Sequence, residues 1–200
     1  MATIFENIMN NAQRKGVAEQ YSEESIKWFR SNVRKTAVSP LRVLREEADQ
    51  LVNSWTNVGI GRMYLVSYDP KHKETLPYYD MFPLLIPIER YSDGFLGLNL
   101  HYLPPALRAK LLGSLYDILN DATTDDRKKF MISYNILKSA SKHAWFKPCV
   151  KRYLASHFRS RFIKIPHQNW TAAVFLPVES FEKASKNEVW TDSRNKLSKR

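Results

Sequence analysis

Basic side chains are concentrated in residues 127–178, which contain eleven lysine and arginine residues and no aspartate or glutamate. Ammonium and guanidinium groups bind phosphate oxygens, and the release of condensed counterions makes such binding strongly dependent on salt. The first hundred residues contain 12 basic and 12 acidic side chains, whereas the second hundred contain 19 and 8. The whole net charge of +11 therefore arises in the second half, and a polyanion is the expected partner.

Nine of these basic residues are candidate contacts to DNA phosphates. They are Lys128, Lys129, Lys138, Lys142, Lys147, Lys151, Arg152, Arg159 and Arg161. Two other interpretations of the charge stay open: the same residues could contact acidic faces of neighbouring protein subunits, or they could form a solvated surface. The sequence contains no base-reading module, so we expect recognition of the DNA backbone or of the shape of a DNA end rather than of a base sequence.

Aromatic side chains are interleaved with the basic ones in the same stretch. They are Tyr134, His143, Trp145, Phe146, Tyr153, His157 and Trp170. An exposed ring beside a cation can stack on an unpaired base. Most of these rings fall on the inward faces of predicted elements, however, and we expect them to pack in a core. Trp145, which lies between two predicted helices, is the candidate for stacking.

A catalytic site has little support in the sequence. Four potential ligands of a divalent metal lie close together, as in a metal-dependent nuclease, namely Asp69, His72, Glu74 and Asp80. Their spacing matches no ligand motif, and the segment is predicted to be a turn. No glycine-rich phosphate loop is present, and the single cysteine, Cys149, is expected to be a buried apolar residue rather than a nucleophile. We therefore expect a non-enzymatic protein without a cofactor or metal.

The composition predicts a folded protein of a reducing compartment. A chain of 200 residues with 44% hydrophobic and 12% aromatic residues can bury a core within one domain. One cysteine excludes an intrachain disulfide framework. Since the sequence contains neither a basic start followed by an apolar run nor a stretch of about 18 apolar residues, we expect no signal peptide and no membrane span.

Three amphipathic helices are predicted before any strand. Thr3 begins a capping box, Ser22 is a second cap, and Ser39 followed by a proline starts the third helix. These helices either cover the rest of the domain or dock on a neighbouring subunit.

The middle of the chain changes to the period of β-strands. Residues 63–68 are rich in aromatic and β-branched residues, and prolines flanking residues 84–86 restrict that strand to an edge or a bent position. A Ser-Asp-Gly turn at 92–94 predicts a hairpin with the return strand, in which Gly97 suggests a bulge. Adding strands at 161–165 and 171–176 would close about five strands into a small SH3-like or related β-barrel. The predicted fold class is α+β.

The remaining segments are predicted to be helical. Helices are expected after Pro105, after Asp125 and from Pro148, the last with Lys151 and Arg152 on its outer face. A short helix with Phe181 would precede a basic tail that is mobile unless a partner orders it. The predicted organisation is N-terminal helices at 1–58, a barrel at 59–103 and 160–177, a basic helical insertion at 104–159, and a short helix with a basic tail at 178–200.

Several long strings resemble a family of small virion structural proteins of T-even-like contractile-tailed bacteriophages, the DNA end protectors. The longest are Tyr-Asp-Pro-Lys-His-Lys-Glu-Thr-Leu-Pro-Tyr-Tyr-Asp at 68–80 and Gly-Phe-Leu-Gly-Leu-Asn-Leu-His-Tyr-Leu at 94–103, with further strings at 61–65, 82–84, 146–154, 175–177 and 189–194. The resemblance covers most of the chain. It assigns no site residues, so the candidate phosphate contacts are based on charge alone.

The resemblance implies a virion protein, assembled in the host cytoplasm, that binds the terminus of the packaged double-stranded DNA near the portal and shields it from host exonuclease. Its other partners would be portal, neck or tail subunits, with no membrane and no small-molecule substrate. The alternative is a structural or assembly component of the neck, tail or baseplate whose basic face docks on acidic neighbouring subunits.

Overall fold

An antiparallel sheet with helices packed against it forms the centre of the protein. The computed structural model describes residues 3–17, 22–119 and 144–198, together with the single positions 135 and 138. Helices and antiparallel strands share one main core, so the predicted α+β class is confirmed. The predicted helix after Asp125 lies outside the described residues except at 135 and 138, which are both helical.

Three helices come first, as their capping residues predict. In the first, the Glu6 amide donates to Thr3 Oγ1 at 3.2 Å and the Thr3 amide donates to Glu6 Oε2 at 2.8 Å, which completes the capping box. The helices are α1 (Ile4–Arg14), α2 (Glu23–Asn32) and α3 (Pro40–Glu46), with caps at Thr3, Ser22 and Ser39.

Eight strands are present in the described part of the chain, six in the main sheet and two in a small second sheet. In chain order they are β1 (Leu51–Val52), β2 (Met63–Leu65), β3 (Tyr79–Asp80), β4 (Leu84–Tyr91), β5 (Gly94–Asn99), β6 (Val150–Leu154), β7 (Phe162–Ile165) and β8 (Phe181–Glu182). The main sheet has the order β1-β7-β2-β4-β5-β6, and β3 pairs with β8. Because β1 and β6 do not pair with each other among the described residues, the sheet is open, and the predicted closure into a barrel is wrong.

The hairpin of β4 and β5 has the predicted turn and the predicted bend. Gly94 has a φ of +149°, and a Cβ there would lie 2.0 Å from the Tyr153 carbonyl oxygen, so glycine is required next to β6. Opposite Gly97, the register of β4 shifts between Pro87 and Glu89. β4 is an interior strand of the sheet, and the bulge allows it to contain a proline. Of the two positions predicted for this strand, an edge or a bent one, the structure has the bent one.

The predicted strand at 171–176 is wrong, because this segment is the helix α5 (Trp170–Phe175). All six residues of α5 are buried, so their sequence shows no polar face that could distinguish a helix from a buried strand. The helix packs against α1, α2 and α4 (Pro105–Leu119), the helix predicted after Pro105. The predicted barrel needed a strand at this position in order to close, and the structure has a helix there instead.

The predicted helix from Pro148 is also wrong. Pro148 lies inside a 3₁₀ segment, Ala144–Cys149. The following residues form β6, which pairs with β5 from Val150 opposite Leu98 to Leu154 opposite Gly94. The apolar residues at 150, 153 and 154 have the spacing of a helical face, which favoured the helix, whereas pairing with β5 makes this segment a strand. As a result, Lys151 and Arg152 lie on an edge strand of the sheet rather than on an outer helical face.

The C-terminal segment folds against the rest of the protein instead of forming a short helix and a free tail. Phe181 belongs to β8, and the chain continues as α6 (Lys186–Ser198). Val189, Trp190 and Ser193 of α6 are buried. The Trp190 indole donates to the His101 carbonyl oxygen at 2.8 Å, which anchors the helix.

Buried polar groups connect the small sheet to the main core. Asp80 of β3 accepts hydrogen bonds from the Phe82 and Ser180 amides, from Asn99 Nδ2 at 3.1 Å, and from His101 Nδ1 at 2.8 Å. His101 is fully buried in the 3₁₀ turn Leu100–Tyr102, so its ring serves packing and hydrogen bonding.

A second buried charge stabilises the same region. Arg108 of α4 is fully buried, with Nη2 2.7 Å from Glu179 Oε1. It also donates to the carbonyl oxygens of Leu103, Val174 and His101. Burial lowers the pKa of the guanidinium, and the Glu179 carboxylate opposes that shift. The arginine therefore joins α4, α5 and the segment before β8.

Replacing Asp80 with alanine is expected to lower the free energy of unfolding by about 3–5 kcal/mol, since it leaves several buried donors without an acceptor. Urea unfolding followed by circular dichroism measures this change. Asp93→Ala is the matched control, because it removes an exposed carboxylate paired with Arg152 and should cost no more than about 1 kcal/mol. Equal effects of the two substitutions would contradict the role assigned to Asp80.

Candidate nucleic-acid interface

The nine candidate phosphate contacts fall into two groups in the structure. Lys128, Lys129 and Lys142 lie outside the described residues, and Lys138 is a single described helical position. The other five are spread over the 3₁₀ segment, β6 and the connection to β7, and they are Lys147, Lys151, Arg152, Arg159 and Arg161. The described part of the predicted interface therefore lies on the edge strand β6 and on the segments that precede and follow it.

Arg152 lies on the outer face of β6 beside the β4–β5 turn. Its guanidinium carbon is 4.2 Å from the centroid of the exposed Tyr91 ring, Nη2 pairs with the Asp93 carboxylate, and Nη1 donates to the Tyr153 carbonyl oxygen at 3.0 Å. The aromatic contact and the two hydrogen bonds orient the guanidinium at the surface.

Arg159 and Arg161 continue the exposed basic surface toward β7. Arg159 Nη2 lies 3.2 Å from Asp69 Oδ2, and Arg161 Nη1 lies 3.4 Å from Asn53 Oδ1. Hydrogen bonds from Lys73 and from Arg159 lower the pKa of the Asp69 carboxyl. This carboxylate is therefore part of a surface ion-pair network.

Lys151 lies on the other side of the strand, next to a cavity of about 270 Å³. We call this the tyrosine cavity. Its lining includes Tyr78, Tyr79, Tyr102, Lys151, Arg152 and Lys196. Lys151 Nζ is 4.2 Å from the centroid of the Tyr102 ring, and burial lowers the pKa of the ammonium. No carboxylate within the described ranges forms an ion pair with it.

The helix α6 forms one wall of the tyrosine cavity. Lys196 Nζ lies 2.7 Å from Asp192 Oδ2 and 6.0 Å from the centroid of the Tyr78 ring, while the Tyr78 hydroxyl donates to Asp192. Sequence reasoning placed Lys196 in a basic tail and did not include the tyrosines among the site residues. The Tyr78-Tyr79 pair within an otherwise charged loop, and the four-residue spacing of Asp192 and Lys196, were the available signals.

Three of the four predicted aromatic residues whose side chains are described belong to the core or pack against it. Tyr153 and Trp170 are buried, and Phe146 packs against the main core. His157 is held by the Asp69 carbonyl oxygen, 2.8 Å from Nδ1. Tyr134, His143 and the side chain of Trp145 lie outside the described part of the chain, so stacking by Trp145 stays a prediction.

The four residues considered as nuclease ligands are dispersed by the fold. Asp69 pairs with Lys73 and Arg159, Asp80 is buried beside His101, and His72 and Glu74 are exposed on the loop between them. Within residues 3–17, 22–119, 135, 138 and 144–198, no group of three or more His, Cys, Asp or Glu side chains could hold a metal ion.

A second, more open depression of about 500 Å³ lies beside β1, β7 and β2. Arg62 and Lys164 are the cations that line it, together with Asn53 and Tyr64. Its lining residues differ from those of the tyrosine cavity. Lys164 is partly buried, as Lys151 is, so the two lysines can be compared.

The fold and the site define a basic α+β protein in which cations and tyrosines share one edge of a sheet, a combination suited to a polyanionic ligand. In the described part of the chain, no helix has the length and apolar character needed to cross a membrane. The family model described as Phage T4 terminal DNA protecting protein matches residues 2–194, and the chain belongs to that family. The resemblance to phage DNA end protectors is thereby confirmed. Comparison with curated proteins and with solved structures gave no significant match.

The buried thiol of Cys149 should be inert in the folded protein. Burial raises its pKa to about 12, so the thiolate that reacts with disulfide reagents is scarce near neutral pH. We expect no reaction of the native protein with dithiobisnitrobenzoate at pH 8. After unfolding in guanidinium, the single thiol should react and release one equivalent of thionitrobenzoate. Rapid labelling of the native protein would contradict the buried position.

Proposed function

We propose that this protein is a non-enzymatic virion component that binds the end of double-stranded DNA through the phosphate backbone and protects the terminus of the packaged genome near the portal. The observation that carries the proposal is the match of the terminal DNA protecting family to nearly the whole chain, including the acid-free stretch at 127–178. The excess of positive charge supplies the physical means of binding DNA.

The described basic residues support phosphate binding because their present partners are weak competitors. Arg152 and Arg159 pair with Asp93 and Asp69 at the surface, where an ion pair contributes only about 0–1 kcal/mol. A DNA phosphate can therefore replace either carboxylate at small cost. The complete proposed set is Lys128, Lys129, Lys138, Lys142, Lys147, Lys151, Arg152, Arg159 and Arg161.

The proposed partners and location follow from the family and the charge. The protein would be assembled into the virion in the host cytoplasm and would contact portal, neck or tail subunits as well as the DNA end. It would require no cofactor and no small-molecule substrate, since recognition of phosphates by lysine and arginine needs neither.

Binding to a blunt duplex should fall steeply with salt. Six to ten phosphate contacts imply a loss of about 10³–10⁵ in affinity between about 50 and 200 mM salt, which fluorescence anisotropy with an end-labelled duplex measures. The complex should also slow digestion of the duplex by a double-strand exonuclease. An unrelated DNA-binding protein of similar charge serves as the control for non-specific shielding of the duplex.

Absence of DNA binding at low salt would contradict the proposal. The alternative role in the neck, tail or baseplate would then be favoured, with the basic face docked on an acidic protein surface. Native mass spectrometry would show whether a defined oligomer or a virion protein partner forms in place of the DNA complex.

The double substitution Arg152→Gln, Arg159→Gln should reduce the slope of log affinity against log salt by about 1.8, because each phosphate contact contributes about 0.9. The matched control is Arg30→Gln, Arg45→Gln, which removes the same charge from exposed positions on α2 and α3. This control should leave the slope unchanged. Identical slopes for the two double variants would remove Arg152 and Arg159 from the proposed contacts.

A further inference from the structure

The tyrosine cavity has the size of a small-ligand site rather than of a duplex-binding groove. Its volume of about 270 Å³ lies just below the range of about 300–1,000 Å³ that is usual for small-molecule pockets. Its walls come from the loop after β2, the 3₁₀ turn Leu100–Tyr102, the strand β6 and the helix α6. A single nucleotide can enter such a space, whereas the body of a double helix cannot.

The rings of the cavity offer a surface for a base or a sugar. Tyr78 and Tyr79 are half-buried, with part of each side chain accessible, and the Tyr78 ring centroid lies 5.9 Å from that of buried Tyr102. Aromatic side chains that line a basic groove stack on unpaired bases without regard to sequence. Recognition in this cavity would therefore be independent of the base at the DNA terminus.

One cation of the cavity, Lys151, has no ion-pair partner among the described residues. Lys196 is paired with Asp192, and Arg152 with Asp93. Asp80 also lines the cavity, where it accepts hydrogen bonds from His101 and Asn99 and forms no ion pair with Lys151. The Lys151 ammonium contacts the Tyr102 ring and forms no ion pair with a carboxylate of the described residues, while the Asp192 carboxylate attracts it from a longer distance.

A partly buried lysine without an ion-pair partner favours an anionic ligand. A partly buried ammonium has lost hydration, and a cation–π contact restores only part of that free energy. A phosphate beside Lys151 would supply an ion-pair partner. A terminal phosphate monoester carries a charge of about −1.5 to −2 near pH 7, more than a phosphodiester within the chain.

We propose that the tyrosine cavity binds the terminal nucleotide of a DNA strand, with its phosphate on Lys151 and its base or sugar against Tyr78 and Tyr79. The inference rests on the proposed function and deepens it. Surface arginines would hold a duplex at any position along its length, whereas a cavity that admits one frayed nucleotide distinguishes an end from an internal site. Selection for ends thus resides in Lys151 and the tyrosines.

The test compares Lys151→Met with Lys164→Met. Both substitutions remove one partly buried lysine from the main sheet while keeping an unbranched apolar stem, but Lys164 lines the separate depression beside β1. Anisotropy is measured with a duplex bearing 5′-phosphates, the same duplex with 5′-hydroxyls, and a covalently closed dumbbell of equal length. Urea unfolding of each variant establishes that it is folded.

The wild-type protein should bind the phosphorylated open duplex about tenfold more tightly than the dumbbell, the order of magnitude expected for one charge-assisted contact of about 1.4 kcal/mol. Lys151→Met should abolish that preference and keep most of the dumbbell affinity. Lys164→Met should weaken all three ligands equally. If the wild type prefers open ends but both variants behave alike, the cavity is not the end site, although the proposed function stands.

A mononucleotide separates failure of the cavity from failure of the proposed function. Deoxyadenosine 5′-monophosphate is titrated while tyrosine fluorescence is recorded, with deoxyadenosine as the uncharged control. Quenching by the nucleotide that is lost in Lys151→Met supports the cavity as a nucleotide site even if no duplex binds. Absence of nucleotide binding to the wild type, together with equal affinity for open and closed duplexes, overturns the inference.

Discussion

The buried hydrogen bonds of Asp80 and Arg108 hold together segments that are far apart in the sequence. Asp80 connects β3 to the end of β5, to the turn at His101 and to Ser180, while Arg108 connects α4 to Glu179 just before β8. Removing charges from water is costly unless their partners are well placed. The geometry of these segments is therefore strongly constrained, and the walls of the tyrosine cavity are built on them.

Local signals in the sequence predicted local structure well. The caps at Thr3, Ser22 and Ser39 depend on contacts within one helical turn, and the hairpin at 92–94 depends on neighbouring strands, so both could be recognised without knowledge of the rest of the fold. One error arose where an apolar run had no polar face. The segment at 170–175 is buried on every side as α5, and neither period nor length identifies such a helix.

The candidate site shows the same limit at the level of single residues. Charge counting found the basic half of the protein, but a helix was assumed for the region that contains Lys151 and Arg152. In a strand, adjacent side chains point to opposite faces. Arg152 therefore lies over Tyr91 at the surface, and Lys151 lies against Tyr102. The contribution of α6 depends on contacts across about a hundred residues, such as Tyr78 with Asp192, which no local pattern encodes.

The position of β7 in the sheet has a consequence for synthesis of the chain. This strand lies between β1 and β2, although it follows them by about a hundred residues in the sequence. During translation β4 and β5 can pair at once, whereas β2 has one open hydrogen-bonding edge until β7 leaves the ribosome. Long-range pairing of this kind slows folding and exposes nascent chains to aggregation. The yield of folded protein is therefore expected to depend on the rate of translation and on chaperones.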